Sequence, residues 1–194
     1  MEVVLTPGYD GAMKPILLLL ASLFSPAVSA EAVAVTAGTV SLVQIKAETA
    51  KVPATITGVT GTVDLAAGTG KLIIPTSNWD SGLEIRDNNV RNVFFQPKPH
   101  PPAVFTLESL ALSEGVGKAK GTLTLYLGAV PVEAEVKVST DEQGLTHVAT
   151  TAPFSVSISA LGYSERLTAL MKICEHPSVS DAVEVSISLT LAKE

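Results

Sequence analysis

Apolar and polar residues alternate along most of this chain. Val43, Ile45 and Ala47 alternate with Gln44, Lys46 and Glu48, a period of two that predicts a strand with one apolar and one wet face. The same alternation runs through Val132, Ala134, Val136 and Val138 against Glu133, Glu135 and Lys137. Phe154, Val156 and Ile158 alternate with serines, and Val183, Val185, Ile187, Leu189 and Leu191 with Glu184, Ser186, Ser188 and Thr190. Further strands are predicted over 54–65, 71–74, 103–110, 119–127 and 145–151. Gly58 and Gly61 interrupt the first of these, as at a bulge or a sharp bend. Gly68 and Gly70 read as a hairpin turn, and Asp141-Glu142-Gln143-Gly144 as another turn.

Two segments have a helical period instead. Ser81 to Phe95 places Val90, Val93 and Phe94 at helical spacing. Ser164 to Cys174 places Leu167, Leu170, Met171 and Cys174 on one side, with Ser164 as the expected cap and Pro177 blocking extension. The prolines between Gln96 and Pro102 exclude a central strand. About eight antiparallel strands with alternating faces and one or two short helices imply an all-β sandwich or closed barrel. If a barrel, Ala47, Val132, Ala134, Val136 and Val138 are the inward candidates, and their small size leaves room inside.

Before the strands the pattern changes. Lys14 precedes a leucine-rich run, Ile16 to Phe24, broken only by Ser22, and then Ser25-Pro26-Ala27-Val28-Ser29-Ala30. A basic start, a short apolar stretch and a small-residue cleavage site predict a removed export signal over 13–30. Residues 1–12 read as an upstream extension, and the mature domain as 31–194. The run is too short for the ~20 residues that span a membrane. The expected location is periplasmic or secreted.

Composition narrows the function. The 194 residues are 46% hydrophobic and 16% charged, which excludes a disordered chain. Thirteen basic residues against 19 acidic give a net charge of −6, unsuited to a nucleic acid. The single cysteine, Cys174, cannot form an internal disulfide, and it fits the apolar side of its helix. Neither a Gly-x-Ser-x-Gly elbow nor paired ligand spacing occurs around His100, His147 and His176, so no enzyme, metal or cofactor is expected.

The order Arg86-Asp87, Phe94-Phe95, His100-Pro101, Phe105 resembles the signature of the YceI-like family. Gly121-Thr122-Leu123-Thr124-Leu125, Pro131-Val132 and Val179-Ser180-Asp181-Ala182-Val183 are similar to later motifs of that family, so the resemblance covers about residues 40–192. Asn89-Val90 stands where the family has His-Leu, Gln96 where it has Asp, and Gly128 falls one place late. The resemblance implies a lipocalin-like antiparallel barrel, commonly exported, holding a polyisoprenoid-type lipid. On that reading Arg86 meets a polar or anionic head, its fork suiting a phosphate, while Phe94, Phe95, Phe105, Ala134 and Val136 contact the apolar part. The blander reading makes Arg86 and Asp87 an ion pair or loop brace and Phe94 and Phe95 a core plug. The alternative function is a structural or interaction domain with a filled core. A homodimer is left open.

Overall fold

The computed structural model describes residues 32–175 and 177–192; the export segment expected over 13–30 lies outside them. Eleven strands are present among the described residues: β1 (Val33–Lys46), β2 (Ala50–Thr57), β3 (Thr60–Asp64), β4 (Thr69–Ile74), β5 (Trp79–Asp80), β6 (Ala103–Ser113), β7 (Val116–Leu125), β8 (Gly128–Thr140), β9 (Thr146–Thr150), β10 (Phe154–Ser157) and β11 (Val179–Ala192). Eight of them, β1-β3-β4-β6-β7-β8-β9-β11, form an antiparallel ring, closed where β11 returns to β1. The closing seam is long, from Ala34 opposite Ala192 to Lys46 opposite Val179. Closure leaves no open edge along that ring.

At one end of the barrel two strands bend away from their neighbours. β2 continues β3 along β1, and β10 continues β9 along β11. The predicted strand over 54–65 is therefore two strands, with the corner at Gly58 (φ 77°) and Gly61 (φ 136°). Side chains at such angles are disfavoured, so glycine is the residue that lets the chain turn there.

The helical period at 81–95 becomes a six-residue helix α1 (Glu84–Asn89) followed by a wider π turn over Val90–Phe95. The second helix, α2 (Ser164–Ile173), lies where its spacing placed it. Ser164 does not cap it: Tyr163 precedes the helix without a side-chain cap, and Ser164 is its first residue, its carbonyl accepting from the Thr168 hydroxyl. Arg166 ties α2 down by donating to the Val93 carbonyl (3.4 Å) and to His100 Nε2 (3.3 Å). A second tie is the contact from Asn89 Nδ2 to Cys174 Sγ at 3.6 Å. Both helical segments thus cover the same end of the barrel.

The entry to β11 is fastened by Asp181. Its carboxylate accepts from Ser157 Oγ (2.6 Å), Ser159 N (2.7 Å) and Ser159 Oγ (2.9 Å), which join β10 to β11. The Ser157 hydrogen bond, then the Ser159 amide and hydroxyl, hold its pKa below the usual carboxylate value. A depressed carboxylate contributes stability that is present above its unfolded pKa and lost as pH falls through its folded one. Asp181→Asn is therefore expected to lower the melting temperature at neutral pH, with the gap to wild type closing in acid. Thermal melts of both proteins from pH 7 downward check this, and a gap that widens in acid contradicts it.

Inward residues of β8 are Val130, Val132, Ala134, Val136 and Val138, which alternate with exposed Glu133, Glu135 and Lys137 as the pattern required. The first strand differs. A bulge between Val35 and Ala37 changes which alternate residues face inside. Val40, Leu42, Gln44 and Lys46 then line the interior, and the apolar face predicted for Val43 and Ile45 is not the inner one. Ala47, also expected inside, is exposed in the turn after β1 with φ 45°.

Candidate functional site

Among the described residues, apolar space inside the barrel includes a larger and a smaller cavity. The larger has a volume of about 160 Å3 and sits under the helical cover. A single water needs about 10–15 Å3 on this scale, so the space exceeds packing defects by an order of magnitude. The interior is not filled, contrary to what the filled-core alternative requires. Its walls come from the inner faces of β1, β2, β4, β6, β7, β8, β10 and β11, including Leu42, Phe105, Leu123, Val156, Val183 and Val185. Its roof is the apolar side of α2, where Leu167, Leu170, Met171 and Cys174 all face the space. The spacing read from the sequence thus placed the Cys174 thiol correctly on that side, half-buried and unpaired.

The aromatic pair is both plug and wall. Phe95 is buried and Phe94 partly so, and both line the large cavity. Their rings meet edge to face at 5.0 Å, Phe95 packs against Trp79 at 5.7 Å, and Phe94 against Tyr163 at 5.0 Å. Such tilted arrangements are favoured by the ring quadrupoles and hold the cover in one shape. Phe105 lines the same cavity from β6. Ala134 and Val136 do not: they line the second, smaller cavity towards the far end of the barrel.

Arg86 also lines the large cavity, and it is not braced by Asp87. Adjacent residues on a helix do not face each other. The Asp87 carboxylate turns to Ser81 instead, accepting from its amide (2.9 Å) and hydroxyl (2.6 Å). Among the described residues the ion pairs are Lys118–Glu133, Lys120–Glu133 and His147–Asp141, none of which involves Arg86.

A second cation was missed by the sequence reading. Lys46, at the end of β1, lines the cavity with Arg86, and its pKa is lowered first by burial and then by the Arg86 charge. Gln44, one step along the same inner row, donates to the Ser180 carbonyl at 2.6 Å. Gln44 and Lys46 are the polar half of an alternating strand, which alternation alone assigns to solvent. The bulge at Thr36 reverses the assignment.

The histidines do not converge. His100 stacks on Tyr126 at 3.6 Å near Arg166, and His147 sits between Asp141 (2.8 Å) and Thr190 (3.3 Å) on the barrel wall. His176 lies outside the described residues. The large cavity offers an apolar space onto which two cations, Lys46 and Arg86, also face.

The fold is shared with solved structures. A polyisoprenoid binding domain from Saccharophagus degradans, implicated in plant cell wall breakdown, aligns with a TM-score of 0.74 at 16% identity, covering 84% of this chain and 98% of that one. Burkholderia cenocepacia BcnA aligns at 0.63 with 18% identity, covering 80% and 96%. The Campylobacter jejuni YCEI protein aligns at 0.59 with 17% identity, covering 75% and 87%. Among curated proteins none matches the chain. The family model for the YceI-like domain matches residues 31–191, the whole of the barrel from before β1 into β11, and the chain belongs to that family.

Proposed function

We propose that this protein is an exported, non-enzymatic carrier that holds an apolar chain of the polyisoprenoid type inside the barrel. The observation that carries the reading is the large cavity, whose lining is apolar apart from a few groups such as Gln44, Lys46, Thr76 and Arg86. An eight-stranded barrel has an interior that side chains can fill or that one slim ligand can occupy. Here a space stays open although Trp79, Phe94, Phe95, Phe105 and Phe154 are among its walls. A polar occupant has too few partners there, because buried polar groups need hydrogen bonds. The Saccharophagus degradans neighbour, by its description a polyisoprenoid binding domain, supports the ligand class.

The two cations supply the head contact. Arg86 on α1 and Lys46 at the end of β1 both line the large cavity, and the like charge of Arg86 helps lower the Lys46 pKa. A phosphate placed between them offsets that repulsion and accepts from both. The segment over 13–30, with its basic start, short apolar stretch and small-residue end, supports export from the cytoplasm.

Displacement of a fluorescent apolar probe tests the reading. Undecaprenol and undecaprenyl phosphate are both expected to expel the probe from wild type, the phosphate more effectively. Arg86→Gln is expected to lose about tenfold in affinity for the phosphate and little for the alcohol, the scale of one hydrogen bond to a charged group. Probe displacement by neither compound overturns the carrier reading. Equal losses for both compounds overturn the head contact.

A further inference from the structure

Lys46 has surroundings that suit it for more than a charge contact. It is the last residue of β1 and belongs to the row that the bulge turns inside, with Val40, Leu42 and Gln44. Its partner across the closing seam is Val179, and Val179 and Val52 line the large cavity with it. Lys46 thus stands in an apolar wall, with a second cation, Arg86, bordering the same space. Among the described residues no ion pair includes Lys46. Burial first, and then the Arg86 charge, lower its pKa.

Lysines on the outer wall are the opposite case. Lys118 and Lys120 pair with Glu133 at 2.8 and 3.0 Å, and the Glu133 hydrogen bond raises the Lys118 pKa. A lysine in apolar surroundings beside another cation keeps more of its amine neutral, and the neutral amine is a nucleophile.

We propose that Lys46 is a covalent capture site for apolar aldehydes, which it joins as an imine with their chains in the large cavity. The inference goes beyond the carrier reading and shares only the cavity with it. The neutral Lys46 amine attacks the carbonyl carbon, and the C=O π pair moves to oxygen. A proton passes from nitrogen to that oxygen, giving a carbinolamine. The nitrogen lone pair then forms the C=N bond as the hydroxyl, protonated, leaves as water. One water is lost for each aldehyde bound, and no oxidation state changes. Arg86, always charged, stabilises the negative charge that develops on the carbonyl oxygen. An exposed lysine in water loses such an imine to hydrolysis. Apolar walls that hold the aldehyde's chain raise the local concentration of carbonyl and keep water from the C=N bond.

Reductive trapping tests this. The full chain is incubated with decanal and sodium cyanoborohydride, and the decyl group is mapped by peptide mass spectrometry. Lys46 is expected to carry at least about tenfold more adduct than Lys118, which serves as the reference within the same molecule. Propanal, whose chain gains little from the cavity, is expected to show a preference for Lys46 at least about tenfold smaller, the scale of a few buried methylenes. Lys46→Arg keeps the charge and is expected to lose the preferred adduct. Decyl groups spread evenly over Lys46 and Lys118 overturn the capture site, and so does an equal preference with propanal and decanal. Displacement of the apolar probe by undecaprenol without a Lys46 adduct overturns the capture site and leaves the carrier standing. A Lys46 adduct without displacement leaves the capture site standing and overturns the carrier.

Discussion

Val183→Trp is expected to strip the protein of bound lipid by at least about tenfold while leaving it folded, because an indole placed in an existing void displaces ligand before it displaces core. Val183 lies on β11, opposite Gln44 on one side and Val156 on the other, and its side chain forms part of the large cavity wall. Overpacking a filled core costs typically about 1–3 kcal/mol. The open volume of about 160 Å3 absorbs most of the added ring, so the melting temperature should move little. Lipid content after purification and a thermal melt give the two readouts together. Retained lipid in a stable variant contradicts the cavity as the binding place. A collapse in stability from a lipid-free wild type contradicts the cavity itself. Ala134→Trp does not substitute for this variant, because Ala134 borders only the small cavity.

Gly61→Ala is expected to produce the largest loss of stability, about 3 kcal/mol or more. Two effects combine. At φ 136° an alanine sits in backbone space reserved for glycine, a strain of about 1–3 kcal/mol. Its Cβ would also lie 2.0 Å from the Lys71 carbonyl oxygen and 3.0 Å from Leu72 Cα, both backbone atoms of the paired strand β4. The clash cannot be relieved by turning a side chain; the β3–β4 pair has to separate. For a domain of this size the loss corresponds to a fall of about 6–12 °C in Tm. Gly82→Ala is the matched control: φ is also positive, at 73°, but nothing lies within 4 Å of the added carbon. A Gly61→Ala variant no less stable than Gly82→Ala contradicts the corner geometry.

What the sequence made legible was the set of elements and most of their faces. Strict alternation in β8 and β11 identified inward rows, because Glu and Lys on the other parity leave one assignment. The apolar side of α2 and the aromatic pair before the proline-rich loop were likewise readable, and both face the large cavity. Three features were not. The bulge at Thr36 depends on pairing between β1 and β11, strands at opposite ends of the chain, and it decides that Gln44 and Lys46 point inward. The parting of Arg86 from Asp87 depends on Ser81 offering two donors to the carboxylate. The split of the interior into two cavities depends on four residues far apart in sequence meeting across the barrel. The bulge and the split of the interior are fixed by contacts between distant segments, whereas the Ser81–Asp87 contact is local, six residues apart, and needs the turn before α1 to bring the two together.

The most direct test of the central claim is native mass spectrometry of the protein purified from its own host without detergent or solvent extraction. The carrier account predicts a non-covalent adduct at one copy per chain, released by solvent as an apolar compound with the regular mass spacing of isoprene units, and absent from Val183→Trp. A wild-type protein that is homogeneous and lipid-free, and that takes up no isoprenoid alcohol when offered one, would contradict it.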